Sequence, residues 1–378
     1  MAVLTEEQTL LRDAACTWTQ EQSPVARFRA LRDSGAPLRF DPAVYAEMAA
    51  MGWTGVIIPE EYGGSGFGYL GMGLILEQTG RTLTASPLLA SALAAASAVM
   101  LGGTEAQKQS WLAPIASGQS IATLAIDEGA HHRPNHVALS AVHNGAGYRL
   151  TGAKTFVLEG MAANLLVVSA RTSGAVGETA GISLFLVDAD ARGVTRTALK
   201  LADSRGAANI AFDNVGVAAD GLLGPEGQGW DVLEKTLDRA RAGLAAEMLG
   251  AASQAFETTL DYLKTRVQFG QVIGAFQGLQ HRAAKMFTDL ELARSCVEAA
   301  LEAIDSDADN TPELVSLAKA KVGDTLHLVT NEMVQMHGGI GMTDAHDAGL
   351  YLKRARAAEA TFGGGAYHRD RYARMQGY

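Results

Sequence analysis

The feature that most constrains this chain is the place where its apolar residues change period. Up to about residue 120 they recur at helical spacing. Leu10, Leu11 and Ala14 share one face of a first helix, and Val44, Met48, Met51 and Trp53 follow Asp41-Pro42. From about 121 to 225 the period falls to two. Residues 120–126, 137–142, 148–151, 165–171, 181–187 and 209–217 read as short strands, and Asn144-Gly145 and Ser173-Gly174 supply turns between them. From Trp230 onward the period is helical again, over 231–266, 277–304, a helix from Thr311-Pro312-Glu313 to His337, and 344–361 with Asp344 as N-cap. The expected fold is α+β and multidomain. It has an N-terminal helical domain (1–120), a middle β-barrel or sandwich (121–225) and a C-terminal antiparallel four-helix bundle (226–378).

Composition permits this and narrows the function. With 378 residues, 48% of them apolar and 19% charged, the chain can bury more than one core and is not a disordered polymer. The 31 Lys and Arg against 41 Asp and Glu give a net charge of −10, which argues against nucleic acid as a partner because phosphate contacts need clustered cations. Two cysteines, Cys16 and Cys296, are too few for a disulfide framework or a cysteine-rich zinc site, and buried thiols in a cytoplasmic protein are expected. The first residues run into Thr5-Glu6-Glu7-Gln8, a capping box and not a leader peptide. The longest nearly uncharged stretch, 85–101, contains Pro87 and is too short to span a membrane; a buried helix is expected there.

Several familiar motifs fail on context. Gly66-Phe67-Gly68-Tyr69-Leu70-Gly71 fits G-x-G-x-x-G, but no strand precedes it and no acid follows at the right distance, so it reads as a loop. His132 and His136 flank Pro134, which breaks the helix that would put both rings on one face, so no metal is expected. A G-x-S-x-G nucleophile elbow does not occur.

Three other patches fall in a telling order. They are Pro59-Glu60-Glu61-Tyr62-Gly63-Gly64, then R-x-x-F-G-x-x-I-x-x-F-Q (Arg266, Phe269, Gly270, Ile273, Phe276, Gln277), then Q-x-H-G-G-x-G (Gln335, His337, Gly338, Gly339, Gly341). Together they resemble the acyl-CoA dehydrogenase family over nearly the whole chain. The nearest resemblance is to bacterial pimeloyl-CoA dehydrogenase small subunits and steroid side-chain dehydrogenase subunits. The resemblance implies FAD bound non-covalently across a subunit interface. Arg266 would neutralise the pyrophosphate of the neighbouring protomer's cofactor, with Phe269 beside it and Gln277 in the same motif. Gln335, Gly338 and Gly339 would lie along that cofactor. In the middle domain Ile126, Asp127 and Phe156 would line the flavin ring, Phe156 standing where the family more often has Trp.

The implied reaction is α,β-dehydrogenation of an acyl-CoA thioester: a carboxylate takes the α-proton while a hydride passes to flavin N5. Here the chain departs from its relatives. The Glu of the usual Y-E-G-T is replaced by Gly363, within Phe362-Gly363-Gly364-Gly365, and the alternative Glu of L-D-x-E-R is replaced by Ala240. The nearest substitute is Glu247, two turns beyond Ala240 on the same helix face. Its Ala, Met and Leu neighbours predict a desolvated carboxylate, suited to a base, the alternative being a buried Glu paired with an Arg or with a partner subunit. Arg241 matches the Arg of L-D-x-x-R and is expected on the CoA side. The family's T-E-P-x-x-G-S-D becomes Asp127-Glu128-Gly129-Ala130-His131-His132-Arg133-Pro134, which removes a serine that often contacts substrate.

The small residues Gly243, Ala245, Ala246, Gly250, Ala251 and Ala252 suggest room for a steroid-like, cyclic or dicarboxylic acyl chain. The expected partners are acyl-CoA, an electron acceptor, and either copies of this chain in a dimer or tetramer or a second dehydrogenase subunit in a heterotetramer. Two alternatives accompany this reading. One is a non-catalytic partner subunit of an α2β2 enzyme, and the other a flavoprotein of the acyl-CoA desulfinase type that needs no base.

Overall fold

The structure is a computed structural model that describes residues 4–378. Residues 1–3, with which the reading against a leader peptide begins, lie outside the described residues. The first part is helical: α1 (Glu6–Gln22), α2 (Val25–Ser34), α3 (Pro42–Ala50), α4 (Gly68–Arg81), α5 (Ala96–Gly102) and α6 (Glu105–Ala116). Strands β1 (Ala122–Ala125), β2 (Ser140–His143), β3 (Gly147–Leu158), β4 (Leu165–Arg171), β5 (Ile182–Asp188), β6 (Val194–Ala198), β7 (Ala207–Ala218) and β8 (Leu222–Leu223) follow. Then come α7 (Gly229–Thr265), a hairpin of β9 (Val267–Gln268) and β10 (Gln271–Val272), α8 (Gln277–Asp305), α9 (Thr311–His337), α10 (Ala348–Ala360) and α11 (Gly365–Met375). The helix–sheet–helix order matches the sequence pattern. No helix among the described residues is long and apolar enough to cross a membrane.

Contacts gather these elements into two compact units. One holds the chain up to Asp33 with Tyr69–Thr84 and Arg241–Tyr378; the other holds Ser34–Gly68 and Ala85–Ala240.

The second unit is built on one sheet in the order β6-β7-β3-β2-β4-β5-β8, with β1 paired in parallel to β4. Leu150, Leu166, Val168, Phe185, Ile210, Phe212 and Val215 form its core. The pairing of β3 with β7 slips after Lys154↔Ile210 and resumes at Val157↔Ala208, so two residues face one and Thr155-Phe156 bulge out. The stretch read as a buried helix is helical and buried, but its first half, Leu88–Ala95, is π-helical. Ser91 within that turn accepts a hydrogen bond from the Ala122 N–H, the first of β1 (3.0 Å).

The first unit packs α8, α10 and α11 around α9, with α4 crossing α7 at two glycines. A Cβ at Gly80 would overlap the Glu247 carbonyl oxygen, and one at Gly250 would overlap that of Glu77. The backbones therefore touch where a side chain would hold them apart. This corrects the reading of Gly250 as room for an acyl chain, because α4 fills that place.

Four further expectations change. The glycine-rich loop is half helix, since α4 begins at Gly68. Its N-terminus is occupied by the chain's own Asp305, whose Oδ1 and Oδ2 accept from the Tyr69 and Leu70 N–H groups (2.6 and 2.8 Å). One cap differs: α10 starts after Asp347 and not after Asp344, whose carboxylate is engaged by Arg29 and Arg32. The basic C-terminal stretch contains a further helix, α11, so this unit exceeds a four-helix count. Both cysteines are free and only half-buried.

Gly250→Ala should lower stability by about 2–3 kcal/mol, since neither backbone can yield without losing the crossing. Urea denaturation of the purified protein measures this, and an unchanged midpoint would mean that the two helices separate freely.

Candidate functional site

In the second unit one backbone bond brings the expected ring-lining residues together. The Thr155 N–H donates to the Asp127 carbonyl (2.8 Å), setting the bulge that carries Phe156 against the segment after β1. Phe156 takes φ +53°, and its N–H, lost to the ladder, donates to Asn209 Oδ1 (3.3 Å). Beneath lies Lys154, fully buried, with its ammonium on the Ile126 carbonyl (3.0 Å), Glu128 Oε1 (2.7 Å) and Ser169 Oγ (2.9 Å). Burial pushes Lys154 down to about 8, with Glu128 opposing. Asp127 is engaged within the chain. His132 Nδ1 lies 2.8 Å from its Oδ2, and the Arg133 N–H donates to its Oδ1. His132, weighed above as a metal ligand, is thus a partner of Asp127.

In the first unit the C-terminal ends of α7 and α9 meet through stacked rings of Tyr262 and His337 (4.3 Å). Arg266 follows α7, Gln277 opens α8, and Gln335, Gly338 and Gly339 lie at the end of α9. All five are exposed, and the side chains of Arg266, Gln277 and Gln335 have no hydrogen-bond partner among the described residues. Phe269, at the tip of the hairpin, is 90% exposed and takes φ +52°. An unpaired guanidinium, two open amides and a bare glycine turn fit an anionic dinucleotide, and an exposed phenylalanine beside them fits an aromatic ring. These are the residues that the family resemblance assigns to FAD.

Farther down the same unit lie the residues expected to carry the chemistry. Glu247 is buried as predicted, but it is not desolvated among apolar neighbours alone. Arg354 of α10 places Nε and Nη2 each 2.9 Å from its Oε1. Both side chains are nearly closed to solvent, at 9% and 12% exposure. Arg241, expected on the CoA side, is instead sealed inside, at 0% exposure. Its Nε donates to the Phe362 carbonyl (3.3 Å) and its Nη2 to the Tyr367 hydroxyl (2.9 Å).

Sequence reading missed Lys319, Arg354, Tyr367 and His368. The buried Lys319 donates to the carbonyls of Ala358, Glu359 and Gly363 (3.0, 3.2 and 3.2 Å), the first two at the C-terminal end of α10. Burial, then repulsion from Arg241, pushes it down to about 7 from an ordinary 10.5, while Glu359 acts in the opposite direction. The one available signal was a lysine in the apolar run Leu317-Ala318-Lys319-Ala320, on the buried stripe of α9.

Lys319 ties stability to pH. Between about 7 and 10.5 the unfolded lysine keeps a proton that the folded one has lost, so stability rises with pH across that window. Below about 7 the penalty is complete. Urea denaturation at pH 7 and pH 9 should show the rise, and Lys319→Met should flatten it; an unchanged slope in the variant would show that Lys319 stays charged.

Comparison with known proteins fits this geometry. Models of the acyl-CoA dehydrogenase N-terminal, middle and C-terminal domains match residues 5–119, 126–215 and 227–376. The chain is 30% identical over 363 residues to a probable acyl-CoA dehydrogenase, YngJ, of Bacillus subtilis, covering 94% of both chains. Butyryl-CoA dehydrogenase from Megasphaera elsdenii superposes with a TM-score of 0.92 at 26% identity, over the whole of both chains. A variant of the Tcur3481–Tcur3483 steroid ACAD superposes with a TM-score of 0.89 at 31% identity, over 98% of each chain. The chain belongs to the acyl-CoA dehydrogenase family of FAD-dependent oxidoreductases.

Proposed function

We propose that this protein dehydrogenates a bulky acyl-CoA thioester in the cytoplasm, with Glu247 as the base. The observation that carries the assignment is that Glu247 is a buried carboxylate on α7 in a chain whose two usual base positions are Ala240 and Gly363; its ion pair with Arg354 is also what a structural carboxylate would show. FAD, when bound, supplies the hydride acceptor for the β-carbon. Glu247 takes the α-proton, and Arg354 fixes the direction from which it does so. A separate electron acceptor carries the two electrons onward. A steroid-like, cyclic or dicarboxylic acyl group is favoured by the likeness to the steroid ACAD.

Oligomerisation belongs to the same reading. About 28 Å of helix rise separates Glu247 from Arg266, so the cation sits far from the base of its own chain. Arg266, Phe269, Gln335 and the glycine turn would serve the cofactor of a neighbouring subunit, and the exposed Val267, Phe269 and Met342 would be covered by it. The neighbour would be a second copy or a related subunit.

A second reading is a partner subunit that completes a flavin site and does no proton chemistry. The absence of a carboxylate at both 240 and 363 favours it, as does the paired naming of the steroid ACAD.

Anaerobic titration with acyl-CoAs, followed at the flavin's visible absorbance, separates the two. Bleaching by a saturated thioester, slowed at least about 100-fold in Glu247→Gln, is the expected result. A flavoprotein that no thioester bleaches would favour the partner subunit. Arg266→Ala should lower the ratio of bound flavin to protein in the purified oligomer, with the helical circular dichroism unchanged. Full flavin occupancy in that variant would remove Arg266 from the site.

A further inference from the structure

Tyr367 stands directly in front of Gly363. Gly363 takes φ +102°, and a Cβ built on it would overlap Tyr367 Cδ1 and lie 3.0 Å from both Tyr367 Cε1 and His368 Nε2. We propose that Tyr367, locked in place by Arg241, fills the space a side chain at position 363 needs, closing that position to a carboxylate and leaving the substrate's α-proton to Glu247. This rests on the reading of Glu247 as base and of residue 363 as the place where most relatives carry theirs.

Neither side of the clash can move cheaply. The Tyr367 hydroxyl accepts from Arg241 Nη2 at 2.9 Å, and the guanidinium carbon lies 5.4 Å from the ring centre, a cation–π contact. The ring meets His368 edge-on, with centroids 5.1 Å apart at 85°. On the other side, the Phe362 carbonyl accepts from Arg241 Nε (3.3 Å) and His368 Nε2 (3.2 Å), and the Gly363 carbonyl accepts from Lys319 (3.2 Å). Arg241, Lys319 and His368 are all buried, so retreat of the ring or the loop would break hydrogen bonds that water cannot replace. Gly363 is therefore more than a missing carboxylate: the void has been filled.

Two costs meet at residue 363, the positive φ and the overlap with Tyr367. The first is the same whatever residue 367 is, so a double-mutant cycle isolates the second. Thermal unfolding of the flavin-loaded oligomer is compared for wild type, Gly363→Ala, Tyr367→Ala and the double variant. Gly363→Ala is expected to lower Tm by about 2–6 °C when Tyr367 is present, and by less than half as much when it is absent. Equal losses in both backgrounds would overturn the proposal. If Gly363→Ala yields no folded protein, recovery of soluble protein in the double variant supports it, and two insoluble variants overturn it.

A second measurement reads the chemistry. In a Glu247→Gln background, Gly363→Glu alone should leave flavin bleaching by acyl-CoA at the background rate. Adding Tyr367→Ala should raise it by at least about tenfold. Rescue by Gly363→Glu alone, or none in the triple variant, would count against Tyr367. If Glu247→Gln itself bleaches at the wild-type rate, the base assignment fails, while the thermal cycle, which needs no substrate, still decides whether Tyr367 closes the position.

Discussion

The arrangement of the first unit depends on buried cations held by main-chain oxygens. Lys319 directs its ammonium to the carbonyls of Ala358, Glu359 and Gly363, and Arg241 reaches the neighbouring Phe362 carbonyl. The end of a helix leaves carbonyls without amide partners, and burying them unsatisfied is costly. Here two long basic side chains satisfy them from inside the protein. The segment joining α10 to α11 is thereby fastened at consecutive residues, Phe362 and Gly363, both with positive φ. Burial and the nearby Arg241 push a lysine so placed down to about 7.

The position of Glu247 follows from a different constraint. Its carbonyl touches Gly80 across the crossing of α4 and α7, so its backbone is fixed by helix packing and not by the site. Its side chain is then oriented by Arg354, which projects from α10, the helix whose C-terminal end Lys319 caps. The carboxylate is thus supported from two directions before any ligand arrives. Such support from packed helices gives a small acid the fixed direction that proton abstraction needs.

The second unit uses the same device around its bulge. Lys154 neutralises Glu128 and holds the Ile126 carbonyl, while Glu128 accepts from the Ala138 and Leu139 N–H groups. One buried cation thus joins β1, β3 and the loop before β2. That fastening lets Phe156 keep its left-handed backbone at a bulge, where the side chain is turned out of the ladder.

The order of helix, sheet and helix was legible in the sequence, because each element buries one face and the spacing of Leu, Val and Ala records which. The Thr5 capping box, strand 165–171 and the long helix α7 needed no more than local pattern. So did the exposed Arg266, Phe269 and Gln335, whose spacing in short motifs is a local property. Asp344 as a cap, Gly250 as free space and Arg241 as a CoA contact were misread for one reason. Each is decided by a residue distant in the chain: Arg29 and Arg32, Glu77, and Phe362 with Tyr367. The sequence by itself determined the succession of elements and the family motifs, since both depend on neighbours along the chain. Only the tertiary structure decided that Glu247 meets Arg354 and that Tyr367 covers Gly363. Hydrogen bonds and steric overlap act over a few ångströms in space, and no periodicity records which remote side chain will be there.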